Sequence, residues 1–365
     1  MRRHWKLVFA FASLAAVSAA TRAAGAAPMD PVPERFYLNP PGTNCQVGIT
    51  SAGYQPCLPN NVSWSNLMSE LGYAIAPTAM HPARTTGLGG FALSFEASFA
   101  HINADATDST GTQYWHTGTQ GAVNPNTNAF SSINKNPDSI LQIYTLKARK
   151  GLPFGLELTG ALGYVANTSL WVGGADIHWS ILEGFRTGVL GYLPDIAVGG
   201  GVRTVGGASS FFLTTVGIDG QISKPFTLAD SAVLTPYVGV QRLIIYADST
   251  VVNLTPTVDP LQQCGYQGTD VPGNPNAPNN GAGGSGGPVC KNGPNSGQGF
   301  NNLTTFSKDT IDRWRWIAGL TYRYELLYLA GQWAMDLEDP SVENANLGVS
   351  GAKQWTLSLE AGASF

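Results

Sequence analysis

From Leu88 onward the chain alternates apolar and polar side chains with a period of two residues. Within 88–103, for example, Phe95 falls on the apolar side of the pattern and Glu96 on the polar side. Alternation of this kind predicts strands with one apolar and one polar face. It recurs at 138–150, 153–167, 170–181, 195–205, 210–224, 232–248, 310–324, 326–337 and 352–365. The pattern therefore predicts an all-β protein of about ten strands, or twelve if residues 112–123 also pair.

The predicted strand 310–324 indicates what covers the apolar face. Its apolar side carries tryptophans at one end, tyrosines at the other, and aliphatic residues between them. A soluble sandwich shows the same alternation, but aromatic residues at both ends of a span of roughly 25 Å are typical of a transmembrane barrel. The pattern favours a closed antiparallel transmembrane β-barrel over residues 88–365.

The connections between the predicted strands fit the same architecture. If strand direction alternates, the three longest connections, 104–137, 249–309 and 338–351, fall on one side of the barrel. Transmembrane barrels place their long loops outside the cell and their short turns in the periplasm. The count puts both ends of the chain in the periplasm and makes 249–309 a long extracellular loop.

The last predicted strand ends on Phe365, in phase with its apolar face. In this respect the chain resembles Gram-negative outer-membrane β-barrels. The resemblance implies a location in the cell outer membrane and contact with its lipid. It also implies that the C-terminal strand, including Phe365, is recognised by the barrel assembly machinery.

Residues 1–26 have the composition of a secretory signal peptide. Three basic residues precede an apolar stretch, 7–20, which is followed by small residues. Such a segment is removed on export and is not a membrane anchor. The most plausible cleavage motif ends at Ala26, and an alternative one ends at Ala19.

Between the signal peptide and the barrel lies an irregular N-terminal arm, residues 27–87. Apolar residues at helical spacing predict a short helix over 64–76, which Pro77 ends. They are Trp64, Leu67, Met68, Leu71 and Ile75. The helix is a candidate plug that packs in the lumen or against the periplasmic mouth, and the alternative is a structural or partner-binding role.

An arm of this kind before a barrel also loosely resembles the long-chain fatty-acid and hydrocarbon transporter family. That resemblance implies an N-terminal hatch that fills the lumen and apolar substrates that pass through the wall. Ten strands are fewer than that family uses.

Four cysteines remain after removal of the signal peptide: Cys45, Cys57, Cys264 and Cys290. Export favours disulfides, and three pairings are possible. The pairing of neighbours along the chain would staple two irregular segments. A metal site built from all four thiolates is the alternative, although the spacings match no zinc motif.

Composition narrows the class of protein further. Charged residues make up 12% of the chain, against about 25% in ordinary soluble domains. Aromatic residues reach 10% and the formal net charge is −4. A disordered chain is richer in charge and poorer in aromatics, and a nucleic-acid binder is basic. We therefore expect no nucleic-acid partner.

The polar faces of the predicted strands carry most of the charged residues of the barrel. Charge on the lipid face costs about 2–4 kcal/mol at the membrane midplane, so we expect these residues to face the lumen. The polar candidates are Glu96, Lys147, Arg149, Glu157, Asp176, His178, Arg203, Asp219, Arg313, Arg315, Arg323 and Glu360. They either fill a narrow interior with ion pairs or line a selective path. Arg242 shares the phase of apolar neighbours, which indicates a bulge or a position at the membrane interface.

The sequence offers no catalytic, metal or cofactor motif. No two of the five histidines have metal-ligand spacing, and nucleophile-elbow and phosphate-loop motifs are missing. Ten strands lie near the filled end of the barrel size range, which argues against a general diffusion porin. We expect a channel or transporter for a small or apolar solute, not an enzyme. The alternative is a structural or surface-interaction barrel with a closed lumen that acts through its extracellular loops.

Overall fold

The computed structural model of the chain describes residues 27–42, 45, 56–115, 120–123, 130–132, 138–183, 193–229, 232–254, 265–266, 288–289 and 303–365. Within this part of the chain, none of the helices is both long and apolar enough to cross a membrane. The predicted signal peptide, Cys264, Cys290 and most of the 249–309 loop lie outside the described residues.

Ten antiparallel strands form a closed barrel, as the alternation predicts. Each strand pairs with the next one along the chain, and the circle closes where the first strand pairs with the last. The strands are β1 (Phe91–His101), β2 (Ile140–Gly151), β3 (Leu156–Val165), β4 (Trp171–Leu182), β5 (Asp195–Gly206), β6 (Phe211–Ser223), β7 (Ala232–Ser249), β8 (Asp309–Tyr324), β9 (Leu327–Asp336) and β10 (Trp355–Ser364).

The shorter strands add no member to the closed circle of ten. Residues 120–123 pair with 130–132 in a separate two-stranded sheet, so 112–123 adds no strand to the ten. Other short pairs join 37–38 to 58–59, 252–253 to 303–304, and 265–266 to 288–289, while Phe226–Ala229 pairs with the start of β7. Helix α2 (Pro340–Glu343) and 3-10 turns at 33–35, 153–155 and 345–347 lie in connections.

The C-terminal residue takes part in closing the barrel. Phe91 N donates to Phe365 O at 3.0 Å, and Phe365 N donates to Phe91 O at 2.7 Å. From there β1 and β10 stay in continuous register to the pair Ala100 and Thr356. The first and last strands therefore meet along their length, which leaves no open sheet edge.

The barrel has two different ends. The connections that follow β1, β3, β5, β7 and β9 include the three longest, and we call this the long-loop end. The opposite end, the short-turn end, holds the start of β1 and the C-terminus. This division agrees with the loop count made from the sequence. Long loops mark the extracellular side of such barrels.

Helix α1 (Asn61–Ala74) begins three residues earlier than the predicted helix and ends close to the predicted position. The side chain of Asn60 accepts a hydrogen bond from Ser63 N at 3.2 Å and caps the helix. Asn is among the preferred N-cap residues because its side chain satisfies an unpaired N–H of the first turn. The predicted start at 64 is late because Trp64 is the first apolar residue of the helical pattern, whereas the cap is the polar residue Asn60.

The N-terminal arm begins at the long-loop end, so the predicted periplasmic start of the chain is wrong. Met29 N donates to Asn167 O at 2.8 Å in the connection after β3. Phe36 packs edge-on against Phe306 just before β8, with ring centroids 6.2 Å apart. The loop count followed strand directions alone and did not include a path of the arm through the lumen, although the lumen was one of the two places predicted for the helix.

Candidate functional site inside the barrel

Residues 61–86, which we call the lumen segment, run through the barrel from the long-loop end to the short-turn end. Contacts along the segment touch the wall at successive depths. Near the middle, Thr215 Oγ1 donates to Gly72 O at 2.9 Å and Arg315 Nη2 donates to Pro77 O at 2.8 Å. At the short-turn end, Thr86 N donates to Glu157 Oε2 at 2.8 Å. The segment therefore occupies the interior along its length.

The half of the interior near the long-loop end is apolar. Trp64 stacks on Phe306 at 5.0 Å and meets Phe211 edge-on at 6.3 Å. The predicted helix residues Trp64, Leu67, Met68, Leu71 and Ile75 are all buried, and they pack against inward residues of the wall such as Ile143, Val172, Leu213, Ile245 and Ile311. Sequence reasoning missed these wall residues. No local pattern in the sequence shows that helix α1 covers these wall positions.

Helix α1 is anchored to the connection after β1 through a buried carboxylate, Glu70. Its oxygens accept from Asn103 Nδ2 at 2.7 Å, Tyr114 OH at 3.2 Å and Trp115 Nε1 at 2.6 Å, all neutral donors. Sequence reasoning did not identify Glu70.

The start of the same helix is anchored to the same connection by Asp108. Its Oδ2 accepts from Asn60 Nδ2 and from Ser63 Oγ, each at 2.8 Å. Its Oδ1 accepts from the backbone N–H groups of Thr110 and Thr112. These donors occupy both oxygens of Asp108, which makes the carboxylate a structural link between helix and loop.

Below the apolar half, two predicted lumen residues, Arg313 and Arg315, lie on the ring of Tyr73. Their guanidinium carbons are 4.3 and 5.2 Å from the ring centroid. Arg313 pairs with Asp336, and Arg315 Nε donates to Gln241 Oε1 at 2.8 Å. Both arginines are completely buried. They hold the end of helix α1 to β8.

A second charged group lies around Thr78 of the lumen segment. Lys147 forms ion pairs with Glu96 and with Glu360, the latter at 3.4 Å, and Arg149 pairs with Glu360 at 2.5 Å. Lys147 Nζ also donates to Thr78 Oγ1 at 2.8 Å, and Thr78 Oγ1 donates to Glu96 Oε2 at 2.8 Å. The wall charges thus neutralise one another and bind the segment at the same time.

A third charged group lies on the neighbouring strands. Arg203 binds Asp176 through two hydrogen bonds of 2.6 and 2.7 Å. Asp219 accepts from Gln241 Nε2 at 3.4 Å, and the same amide nitrogen donates to Pro77 O. The lumen segment therefore passes beside two more of the predicted inward carboxylates.

Towards the short-turn end the segment meets His178. The ring of His81 lies 4.0 Å from it, and Gln221 Nε2 lies 3.3 Å from His81 Nδ1. The segment then leaves the interior past Glu157.

Two arginines of the wall, Arg323 and Arg242, lie outside the packed interior. Arg323 has the inward phase, but it is exposed. It lies beside the last residue of β8, where the strand extends beyond the filled part of the interior. The remaining eleven polar candidates line the interior. Arg242 lies on the outer face without a bulge, and its Nη2 pairs with Asp312 Oδ1 at 2.8 Å beside Trp314. A bulge therefore does not explain its phase.

Of the cysteines, Cys45 and Cys57 form a disulfide at the long-loop end, with Cα atoms 5.1 Å apart. This is one half of the pairing of neighbours along the chain. Among the described residues, no group of His, Cys, Asp and Glu is arranged to hold a metal ion. The site is therefore a set of noncovalent contacts between the wall and one segment of the same chain.

The outer surface of the barrel is apolar around its whole circumference. Large exposed apolar side chains occur on every strand, for example Phe95, Leu162, Ile177, Ile218 and Leu359. Water-soluble monomers rarely expose such continuous apolar surface, and closed antiparallel barrels with an apolar belt are the architecture of the bacterial outer membrane. The chain is an outer-membrane β-barrel protein.

Neither a protein-family model nor a curated protein sequence matches the chain. Among solved structures, Ail, the attachment invasion locus protein of Yersinia pestis, solved with the heparin analogue sucrose octasulfate, is 10% identical, with 76% of this chain and 99% of that chain covered and a TM-score of 0.24. Neisserial surface protein A is 9% identical, with 76% of this chain and 97% of that chain covered and a TM-score of 0.23. The Pseudomonas putida toluene transporter TodX is 9% identical, with 90% of this chain and 98% of that chain covered and a TM-score of 0.21. Scores this low carry no inference about function.

Proposed function

We propose that the protein is an outer-membrane transport barrel for a small apolar solute and that the lumen segment is its gate. The observation that carries the proposal is the arrangement of the interior. The apolar half lies at the long-loop end, and the charged half, bound to residues 77–86 of the noncovalently held segment, lies between it and the short-turn end. A solute that displaces the segment would first meet the apolar cluster around Trp64.

The way the segment is held supports movement. Its contacts with the wall are hydrogen bonds, ion pairs and apolar packing, and its only covalent links to the barrel are the chain itself at β1. The charged wall residues are largely paired with one another, as Arg203 is with Asp176. The wall therefore keeps most of its charge compensated if the segment shifts, which lowers the cost of opening.

Locking the segment tests the proposal. A Cβ added at Gly72 would lie 3.0 Å from Cγ1 of Ile245 on β7. That atom marks a possible position for the sulfur of a cysteine at 245, and a disulfide separates a sulfur from the opposite Cβ by about 3 Å. The double variant Gly72→Cys, Ile245→Cys should therefore form a crosslink between segment and wall.

The readout is entry of N-phenyl-1-naphthylamine, an apolar dye that fluoresces in membranes, into cells that express each variant. We expect the oxidised double variant to admit dye at least fivefold more slowly than the same variant after reduction. Ile245→Cys alone and the wild type, each with and without reductant, control for the added cysteine and for the native disulfide. Equal rates in the locked and reduced states would refute gating by the segment.

The alternative is a closed barrel that acts at the cell surface through its loops. It is supported by the density of the filling, since Trp64, Leu67, Arg313 and Arg315 are completely buried. Equal dye entry in locked and unlocked barrels would favour it. In that case, deletion of loop residues between 267 and 287 should reduce binding of cells to surfaces while leaving the barrel folded.

We also propose two partners and assign no enzymatic activity or cofactor. Outer-membrane lipid covers the apolar belt. The barrel assembly machinery receives β10 together with Phe365, the residue after it, which pairs with Phe91 only after closure. Replacement of Phe365 by Ala should slow insertion into the outer membrane, which pulse-chase assembly measures, while leaving the dye entry of the inserted protein unchanged.

A further inference from the structure

The first described residues of the chain form an anchor at the extracellular end. The backbone N–H of Ala27 donates to Asp30 Oδ2 at 2.7 Å. The other oxygen of Asp30 accepts from Ser169 N at 2.6 Å and from Ser169 Oγ at 3.0 Å. Ala27 is itself buried. The nitrogen of Ala27 is thus held beside a carboxylate that is fixed to the connection after β3.

This anchor coincides with the end of the signal-peptide motif. The small residues that precede Ala27 form the most plausible cleavage sequence, which ends at Ala26. Among the described residues, no lysine or arginine forms an ion pair with Asp30. A positive charge on the nitrogen of Ala27 would complete the site.

We propose that cleavage after Ala26 creates the mature N-terminus and that the new α-ammonium group of Ala27 pairs with Asp30. This ion pair fixes the start of the arm at the extracellular end of the barrel. Water adds across the Ala26–Ala27 peptide bond under catalysis by a signal peptidase. The released peptide keeps the carboxylate of Ala26, and the amine of Ala27 takes up a proton at neutral pH.

With this N-terminus the chain passes through the barrel before its first strand begins, whether or not the barrel transports a solute. The mature N-terminus lies outside the cell, the lumen segment crosses the barrel, and β1 starts at the periplasmic end. Because the barrel closes between β1 and β10, the arm must be inside before these strands pair. The lumen segment is consequently held at both ends, covalently at Phe91 and by an ion pair at Ala27.

Mass spectrometry of the protein purified from outer membranes tests the cleavage. We expect the N-terminal peptide to begin at Ala27. A peptide that begins at residue 20, as the alternative motif gives, or at any other residue would overturn the proposal.

Charge pairing is tested by moving the charge. One alanine inserted after Ala26 lengthens the mature chain by one residue, keeps an N–H at Ala27, and moves the ammonium group by about 3.8 Å. We expect this insertion and Asp30→Asn each to raise the rate of trypsin cleavage at Arg35 at least threefold in the folded protein. Asp105→Asn, at an exposed carboxylate in the connection after β1, should leave the rate unchanged. An insertion that cleaves at the wild-type rate would show that Asp30 needs only an amide.

Topology is tested on intact cells with a membrane-impermeant maleimide. Pro41 is exposed in the arm, and Phe154 is exposed at the short-turn end. Pro41→Cys should react on intact cells, whereas Phe154→Cys should react only after the outer membrane is permeabilised. The reverse pattern would place the arm's start in the periplasm and overturn the proposal.

Discussion

The imidazole of His81 on the lumen segment lies against that of His178 on β4, with ring centroids 4.0 Å apart and planes at 69°. The other groups that act on His81 are Gln221, which is neutral, and the cations Arg149 and Lys147. A second positive charge at His81 would therefore meet positive neighbours. A positive charge on the His81 ring would weaken its contacts in this position.

This arrangement predicts that acid weakens the hold on the segment. The His81 ring is buried near the cations Arg149 and Lys147, so a proton added to it favours any state in which the ring leaves the interior. The stability it contributes is fully present above pH about 6.5 and is lost as the pH falls below that value. Urea unfolding in lipid vesicles at pH 7.5 and pH 5 should show this loss in the wild type.

The matched variants are His81→Gln and His101→Gln. The first removes the titrating ring from the segment and should flatten the difference between the two pH values. The second removes a histidine that stacks on Trp355 away from the lumen segment, and it should change the response less than His81→Gln does. A wild-type response in His81→Gln would assign the pH dependence to another group.

Glu70 supplies a second prediction, about the coupling between helix α1 and the connection after β1. Replacing it with glutamine turns one acceptor oxygen into a donor that faces Asn103, Tyr114 and Trp115. A buried polar group left without a partner costs about 1–3 kcal/mol. We expect Glu70→Gln to lower the free energy of unfolding by this amount and to shift the tryptophan emission to longer wavelength. Glu338→Gln, at an exposed position in the connection after β9, should change neither quantity.

The barrel itself could be predicted because its signal is local. Alternation over 88–103 or 352–365 reports which side chains share a face, and one buried and one lipid-facing side are enough to set the phase of every strand. The inward positions of Glu96, Arg203 and Arg313 followed from the same phase. Charged side chains in hydrocarbon destabilise the barrel, so the charged face of each strand was predicted to point inward.

The filling of the lumen could not be predicted because it depends on contacts far apart in the chain. Glu70 meets Trp115 and Pro77 meets Arg315 only after the barrel has closed around the segment. The wall near the long loops is apolar on its inner face because helix α1 covers it, and no local pattern records that cover. Arg242 was out of phase because its partner, Asp312, lies on the neighbouring strand.

The pair Arg203 and Asp176 allows a test of how the wall charges are balanced. Removing one member of a buried ion pair leaves the other uncompensated and typically costs about 3–5 kcal/mol. We expect Arg203→Met to lower the free energy of unfolding in lipid vesicles by about this much. The double variant Arg203→Met, Asp176→Leu should recover most of the loss. A double variant no more stable than Arg203→Met would show that Asp176 is stabilised by other groups.

Gly72 makes the closest approach of helix α1 to the wall, and its substitution has a predictable sign. In an exposed helix, alanine is more stable than glycine by about 1 kcal/mol. Here a Cβ would lie 2.4 Å from Cγ2 of Ile245, and overpacking of a filled interior costs about 1–3 kcal/mol. We therefore expect Gly72→Ala to destabilise the barrel in urea unfolding, against its helix propensity. Ile245→Ala removes the atoms in the way, so Gly72→Ala in that background should be stabilising. If Gly72→Ala stabilised both backgrounds, the helix would not pack against β7 at this position, and the lumen segment would lie elsewhere in the barrel.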